Sequence, residues 1–158
     1  MGLVNADHPG RSHLVDQAQR ALVAIRAGTD TDALTQVDAE CTRDLVTLLF
    51  AECSAMVAAL GDGGATPVRV QVFDEAGTEV SIDAADPPIR TAVRTLLAEV
   101  HGKPADAKEQ VEIALANAAP EEISSLVLQA LRWTSRLADE CLDRDIEIAP
   151  WIVDALRR

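Results

Sequence analysis

Aromatic side chains are scarce in this sequence, which contains two phenylalanines, two tryptophans and no tyrosine. The core must therefore be built from aliphatic residues and alanine, and the small alanines allow helices to pack closely. An apolar fraction of 48% in a chain of 158 residues is enough for a core that needs neither disulfides nor metal ions. The few aromatics are not accompanied by a basic groove, so they form no stacking platform for nucleic acid.

Basic residues are also few: 14 lysines and arginines stand against 26 aspartates and glutamates, which gives a net charge of −12. The excess is spread evenly, and residues 1–60, 61–102 and 103–158 each carry a net charge of −4. The absence of a basic patch argues against binding to a phosphate backbone. The sequence predicts a soluble, self-repelling acidic surface, with an acidic charge mimic of a basic partner as an alternative.

Long apolar runs and a secretory segment are missing as well. The longest apolar run, residues 45–60, is interrupted by Glu52, so no segment reaches the length that would span a membrane. Three cysteines without a secretory segment indicate reduced thiols and a cytoplasmic protein. The preference for arginine over lysine is typical of a high-GC bacterial genome.

Apolar residues recur at helical spacing through most of the chain. They predict a mainly α, single-domain bundle of about six helices, with a mobile N-terminal segment at residues 1–11 and the helical domain at 12–158. The helices are expected at 12–27, 31–60, 86–102, 104–118, 120–143 and from 150 onward. Most boundaries follow from local signals: Ser12 as a cap, proline in the first turn of the last four helices, and glycine after several ends.

The segment at residues 68–84 differs, because its apolar residues alternate and predict a β-hairpin. A three-residue loop at 75–77 places Gly77 in the left-handed position that a type I turn with a G1 bulge requires. This loop sets the register, in which Val72 faces Val80 on an apolar face and Phe73 faces Glu79 on a mostly polar face. Continued outward, the same register pairs residues 68–71 with residues 81–84. Because a two-stranded ribbon is marginal alone, we expect its apolar face to lie on the helices.

Signatures of catalysis and of cofactor binding are absent. The sequence has no phosphate-binding loop, no dinucleotide fingerprint, no HExxH, no CxxC and no GxSxG. His8 and His13 are expected to be solvated near the N-terminus, and His101 to lie in the last turn of a helix. The sequence therefore contains no recognisable catalytic motif and leaves any catalytic residue unknown, and it predicts no cofactor and no metal site.

Four residues remain as candidates for binding: Glu52, Phe73, Trp133 and Trp151. Glu52 interrupts an apolar helical stripe. It predicts either a titratable group in an interior pocket, with Asp44 nearby, or a carboxylate that reaches a helix edge or pairs with an arginine such as 90 or 94. Each tryptophan is either a partner-binding anchor or a core residue.

Two classes of function follow. The favoured hypothesis is a non-enzymatic protein-interaction or assembly protein, a homodimer formed through the hairpin, with neither nucleic acid nor membrane as a partner. The alternative is a small-ligand-binding protein or enzyme whose interior pocket lies beside Glu52.

Overall fold

The structure, a computed structural model, describes residues 8–61, 71–73 and 76–158, with side chains from residue 10 onward. Within these ranges the chain forms seven α-helices and one two-stranded antiparallel sheet, which confirms the predicted mainly α bundle with an inserted hairpin. The elements, in chain order, are α1 (His8–Arg26), α2 (Asp30–Thr35), α3 (Thr42–Leu60), β1 (Val72–Phe73), β2 (Glu79–Val80), α4 (Pro87–Val100), α5 (Pro104–Asn117), α6 (Pro120–Asp143) and α7 (Pro150–Leu156).

Helix α3 is the centre of the bundle, because it contacts α1, α4, α5 and α6. Leu45, Leu49 and Phe50 on this helix have no exposed surface. Their neighbours on α1 and α6 include several alanines without exposed surface, such as Ala18 and Ala130. The small side chains let the helix backbones approach closely, so a core with few aromatic residues is still well filled.

Prolines and glycines mark most of the helix boundaries, as predicted. Helices α4 to α7 each begin with a proline, whose missing N–H is not needed in the first turn. Gly28 and Gly102 follow α1 and α4 with φ angles of 81° and 74°. The amides of each glycine and of the residue that follows it bond back to the last turn of the helix, which is the hydrogen-bond pattern of a Schellman motif.

The first helix begins earlier than its predicted cap. It starts at His8, so Ser12 lies inside the helix. Asp86 immediately precedes α4, and its side chain makes no capping hydrogen bond.

The predicted continuous helix over residues 31–60 is wrong. It is divided into α2 and α3 by an extended residue, Asp38, and a 3-10 turn at Ala39–Cys41. The Asp38 backbone N–H donates to Oε1 of Gln17 at 3.1 Å, and the Gln17 amide donates to the Asp38 carboxylate at 2.9 Å. A side chain of α1 thus satisfies the backbone group that a continuous helix would have used.

The hairpin has the predicted register where the structure describes both strands: Val72 pairs with Val80 and Phe73 with Glu79. Gly77 has a φ of 81°, which confirms the left-handed position in the turn. The predicted faces are also confirmed at these pairs, because Val72 is buried and Phe73 is exposed. The expected partners at residues 68–70 lie outside the described residues.

The second strand is shorter than predicted. Ile82–Ala84 form a 3-10 turn, in which the Ser81 hydroxyl accepts a hydrogen bond from the Ala84 N–H. Residues 82–84 therefore do not continue the ladder. The hairpin rests on α4 in a second apolar cluster, whose buried members are Val72, Ala85 and Val93.

Candidate functional site

The exposed face of the hairpin carries Phe73, whose side chain is 54% exposed. The strand alternation explains this position: Val72 points to the helices, so the next residue of β1 points outward. An exposed phenylalanine is costly to keep in water, and the chain has only two. Of the four predicted binding residues, Phe73 is therefore the one whose position is not explained by packing in the helical core.

Two depressions flank the start of α4. One, of about 600 Å³, is lined by the hairpin and the start of α4, including Phe73, Val80 and Ile89. The other, of about 350 Å³, lies between α4, α5 and the start of α6, where Ile113 is 51% exposed. We call the hairpin, the start of α4 and these two depressions the hairpin surface.

The charges near the hairpin surface are mixed. Arg94 binds the Asp83 carboxylate at 2.5 Å, and Arg90 donates to the Asp83 backbone carbonyl at 3.2 Å. Glu79 and Asp86 are exposed beside them. This region therefore presents both signs of charge, although the chain as a whole is strongly acidic.

Glu52 and Trp151, predicted separately as binding residues, contact each other. The Trp151 indole N–H donates to the Glu52 carboxylate at 3.1 Å, across 99 residues of sequence. Glu52 is half-buried, and it lines neither of the two depressions. Its contact joins the last helix, α7, to the central helix.

The residues considered as neighbours of Glu52 make other contacts. Asp44 is exposed and binds Arg43 at 3.1 Å. Arg90 and Arg94, the suggested arginine partners, both engage Asp83. The structure therefore supplies Glu52 with an indole donor in place of the carboxylate or the arginine that the sequence suggested.

Trp133 lies between the two apolar clusters of the bundle. Its ring meets that of Phe50 edge to face, with centroids 6.0 Å apart and planes at 73°. It also packs under the hairpin, against the cluster that contains Val72. These contacts give Trp133 a packing role, which joins the hairpin to the main core.

Two of the three free cysteines are buried. Burial raises the pKa of the Cys53 thiol to about 12, and burial also raises the pKa of Cys141. The Thr134 hydroxyl donates to the Ala130 carbonyl at 2.8 Å, so its oxygen is free to accept from the Cys53 thiol at 3.3 Å. Both thiols are thus held protonated at neutral pH.

A further cluster was not predicted from the sequence. His13 and Gln17 on α1 meet Asp38 and Cys41 at the break between α2 and α3. Ligand-type atoms of His13, Asp38 and Cys41 lie within 4.8 Å of one another. The sequence contains only a weak indication of this cluster. His13 and Gln17 are four residues apart and Asp38 and Cys41 are three apart, so the members of each pair lie on one face of a helical turn. Nothing local shows that the two pairs meet.

None of the helices in the described part of the chain combines the length and the apolar character that crossing a membrane would need. Comparison of the chain with protein-family models, with curated proteins and with solved structures found no match.

Proposed function

We propose that this chain is a non-enzymatic interaction protein that acts as a homodimer through its hairpin surface. The observation that carries the proposal is the exposure of Phe73 on the outer face of a hairpin whose inner face is buried. Burying an aromatic ring of this kind contributes roughly 2 kcal/mol or more to an interface. Exposed Ile113, on the neighbouring depression, adds to the same apolar surface.

The two-stranded sheet supports a second copy as the occupant. Each strand of the sheet in the described residues is an edge strand, and an edge strand can pair with a further strand. A twin hairpin related by a two-fold axis would extend the sheet and cover both Phe73 rings at once. The alternative geometry, in which each hairpin packs on the partner's helices, would use the depressions beside α4.

The charges support the same occupant. A two-fold interface places each group of one copy opposite groups of the same surface in the other copy. Because Arg90 and Arg94 lie beside Asp83, the hairpin surface carries both signs of charge and can pair with the same surface of a second copy. A uniformly acidic surface could not pair with a second copy of itself in this way.

The other candidate residues support a non-enzymatic role. Glu52, Trp133 and Trp151 make contacts that join parts of the fold: Trp151 of α7 donates to Glu52 of α3, and Trp133 packs on Phe50 and under the hairpin. The cytoplasm is the compartment that suits free cysteines, two of which are buried as protonated thiols.

The test is the molar mass in solution, measured by size-exclusion chromatography with light scattering at micromolar to tens of micromolar concentrations. We expect a dimer for the natural chain and a monomer with unchanged circular dichroism for Phe73→Ser. Leu142→Ser is the matched control, because Leu142 is also an exposed apolar residue, at 37%, and lines neither depression. A monomeric natural chain, or a Phe73→Ser variant that remains dimeric, contradicts the proposal.

A further inference from the structure

In the cluster at the break between α2 and α3, three side-chain atoms converge on one amide nitrogen. Nε2 of Gln17 lies 2.7 Å from Nε2 of His13, 2.9 Å from Oδ2 of Asp38 and 3.7 Å from Sγ of Cys41. The amide orientation is fixed, because Oε1 of Gln17 accepts from the Asp38 backbone N–H. An amide nitrogen has only two hydrogens, so three lone-pair atoms converge on a donor that can satisfy two of them.

The protonation of His13 follows from the same geometry. Since Gln17 donates to Nε2 of His13, that nitrogen carries a lone pair and not a proton in this arrangement. The Asp38 carboxylate, 3.4 Å from the same nitrogen, is then a second acceptor facing the first. The arrangement leaves Nε2 of His13 with a lone pair that accepts from Gln17, and a neutral imidazole binds a metal ion through such a lone pair.

The spacing of these atoms is close to that of a tetrahedral metal site. Zinc is bound at about 2.0–2.3 Å by nitrogen, oxygen and sulfur, which places neighbouring ligand atoms of a tetrahedron about 3.3–3.8 Å apart. His13 and Asp38 already have a separation of 3.4 Å, and all three ligand atoms lie within 4.8 Å. Imidazole, carboxylate and thiolate are also the three side-chain ligands that zinc uses.

We propose that His13, Asp38 and Cys41 form a binding site for a divalent transition-metal ion of the zinc type. The site is open on one side, because the His13 and Asp38 side chains are 54% and 51% exposed, whereas Gln17 beneath them is 1% exposed. An ion can therefore enter from solvent and keep water as its fourth ligand. The sequence predicts no metal site because His13 lies on α1, 25 residues before Asp38, and nothing local shows that the two meet.

Binding of the ion replaces the hydrogen bonds that the Gln17 amide N–H groups donate, and it keeps the bond between Gln17 and the Asp38 backbone. The Cys41 thiol releases its proton to solvent, and the ion accepts lone pairs from the thiolate, from Nε2 of His13 and from the Asp38 carboxylate. The Gln17 amide N–H groups lose these acceptors, but Oε1 of Gln17 keeps its bond to the Asp38 backbone. The ion thus ties α1 to the break before α3, and its binding is expected to stabilise the folded protein.

The experiment is a titration of the full chain, freed of metal and kept reduced with a non-chelating phosphine, with Co²⁺ as a spectroscopic probe. We expect one ion per chain, a thiolate-to-cobalt charge-transfer band in the near ultraviolet, and displacement of cobalt by Zn²⁺. Cys41→Ser removes the band, and His13→Gln or Asp38→Asn weakens binding by at least about tenfold. His101→Gln, the same change at another exposed histidine, leaves binding unchanged.

Several results would overturn the proposal. The first is an absence of saturable cobalt binding in the micromolar range, and the second is a charge-transfer band that survives in folded Cys41→Ser. Nuclear magnetic resonance of the histidine rings gives an independent measurement on the unaltered chain. Zn²⁺ should shift the His13 Nε2 signal and leave that of His101 in place; an unchanged His13 signal contradicts the site. None of these readouts depends on the oligomeric state.

Discussion

At the scale of single residues, the Cys53 thiol links burial to stability at alkaline pH. Burial raises its pKa from an ordinary value of 9.0 to about 12, and it lies in the core between α3 and α6. Between these two values the folded state keeps a proton that the unfolded state has lost. The free energy of unfolding therefore falls as pH rises through this window, and below it the thiol contributes no pH dependence.

The first prediction compares the natural chain with Cys53→Ala in urea unfolding between about pH 8 and pH 11. We expect the stability advantage of the natural chain over the variant to be constant below pH 9 and to shrink above it. The chain lacks tyrosine, so few other groups titrate in this range. An advantage that grows with pH would show that the folded state accommodates the thiolate.

The second prediction concerns the indole N–H of Trp151, which joins α7 to α3 through Glu52. Trp151→Phe keeps an aromatic ring but removes the donor, and we expect the free energy of unfolding to fall by about 1.5–3 kcal/mol, as for a hydrogen bond to a charged group. Glu52→Gln is the matched control, because its amide oxygen can accept the same bond. We expect it to lose less than half as much. Equal losses would mean that the negative charge, and not the bond, matters.

At the scale of the elements, the sequence predicts helix boundaries well where the signal is local. The prolines that begin α4 to α7 act through their own backbone geometry, and so do Gly28 and Gly102 after α1 and α4. The hairpin register also follows from a local feature, the left-handed Gly77. These features need no information about the rest of the molecule.

The features that the sequence does not predict depend on contacts between residues that are far apart in the chain. The apolar stripe stays in step with a helix across residues 34–41, so only the contact with Gln17, which is 21 residues from Asp38, reveals the break. The hairpin ends early where Arg90 and Arg94 of α4 hold Asp83. Glu52 stands out because it interrupts an apolar stripe, but its partner Trp151 is 99 residues away in the sequence, and nothing local predicts the contact.

The third prediction uses two glycines that differ in backbone conformation. Gly28 has a φ of 81°, so Gly28→Ala forces an L side chain into the left-handed region and should destabilise the protein by about 1 kcal/mol. Gly10 lies within α1, and a Cβ there would meet nothing within 4 Å. Gly10→Ala should instead stabilise by up to about 1 kcal/mol, because alanine favours the helix.

Thermal and urea unfolding of both glycine variants measure these changes. The same chemical substitution is expected to act in opposite directions, so a general effect of an added methyl group cannot produce the result. Destabilisation by Gly10→Ala would indicate that the first turns of α1 are not helical in solution. A Gly28→Ala variant with unchanged stability would contradict the left-handed conformation of residue 28 after α1.

At the scale of the whole molecule, the net charge of −12 opposes the proposed dimer. Two copies that approach each other carry like charge, and their repulsion extends over about 10 Å at 0.1 M salt but about 3 Å at 1 M. Added salt therefore weakens the electrostatic repulsion that keeps the two copies apart. The ion pairs within each copy that salt would also weaken, such as Arg26–Asp139 and Arg144–Glu140, are exposed and contribute little.

The fourth prediction follows: the dimer dissociation constant falls as NaCl rises from about 0.05 M to about 0.5 M, because the Debye length shortens across this range. Sedimentation equilibrium at several protein concentrations measures it, and KCl at equal ionic strength controls for a specific ion effect. A dissociation constant that rises with salt would mean that ion pairs between the copies outweigh the repulsion. Asp83 and Arg94 would then be expected to exchange partners across the two-fold axis, since they lie at the hairpin surface and already form a pair within one copy.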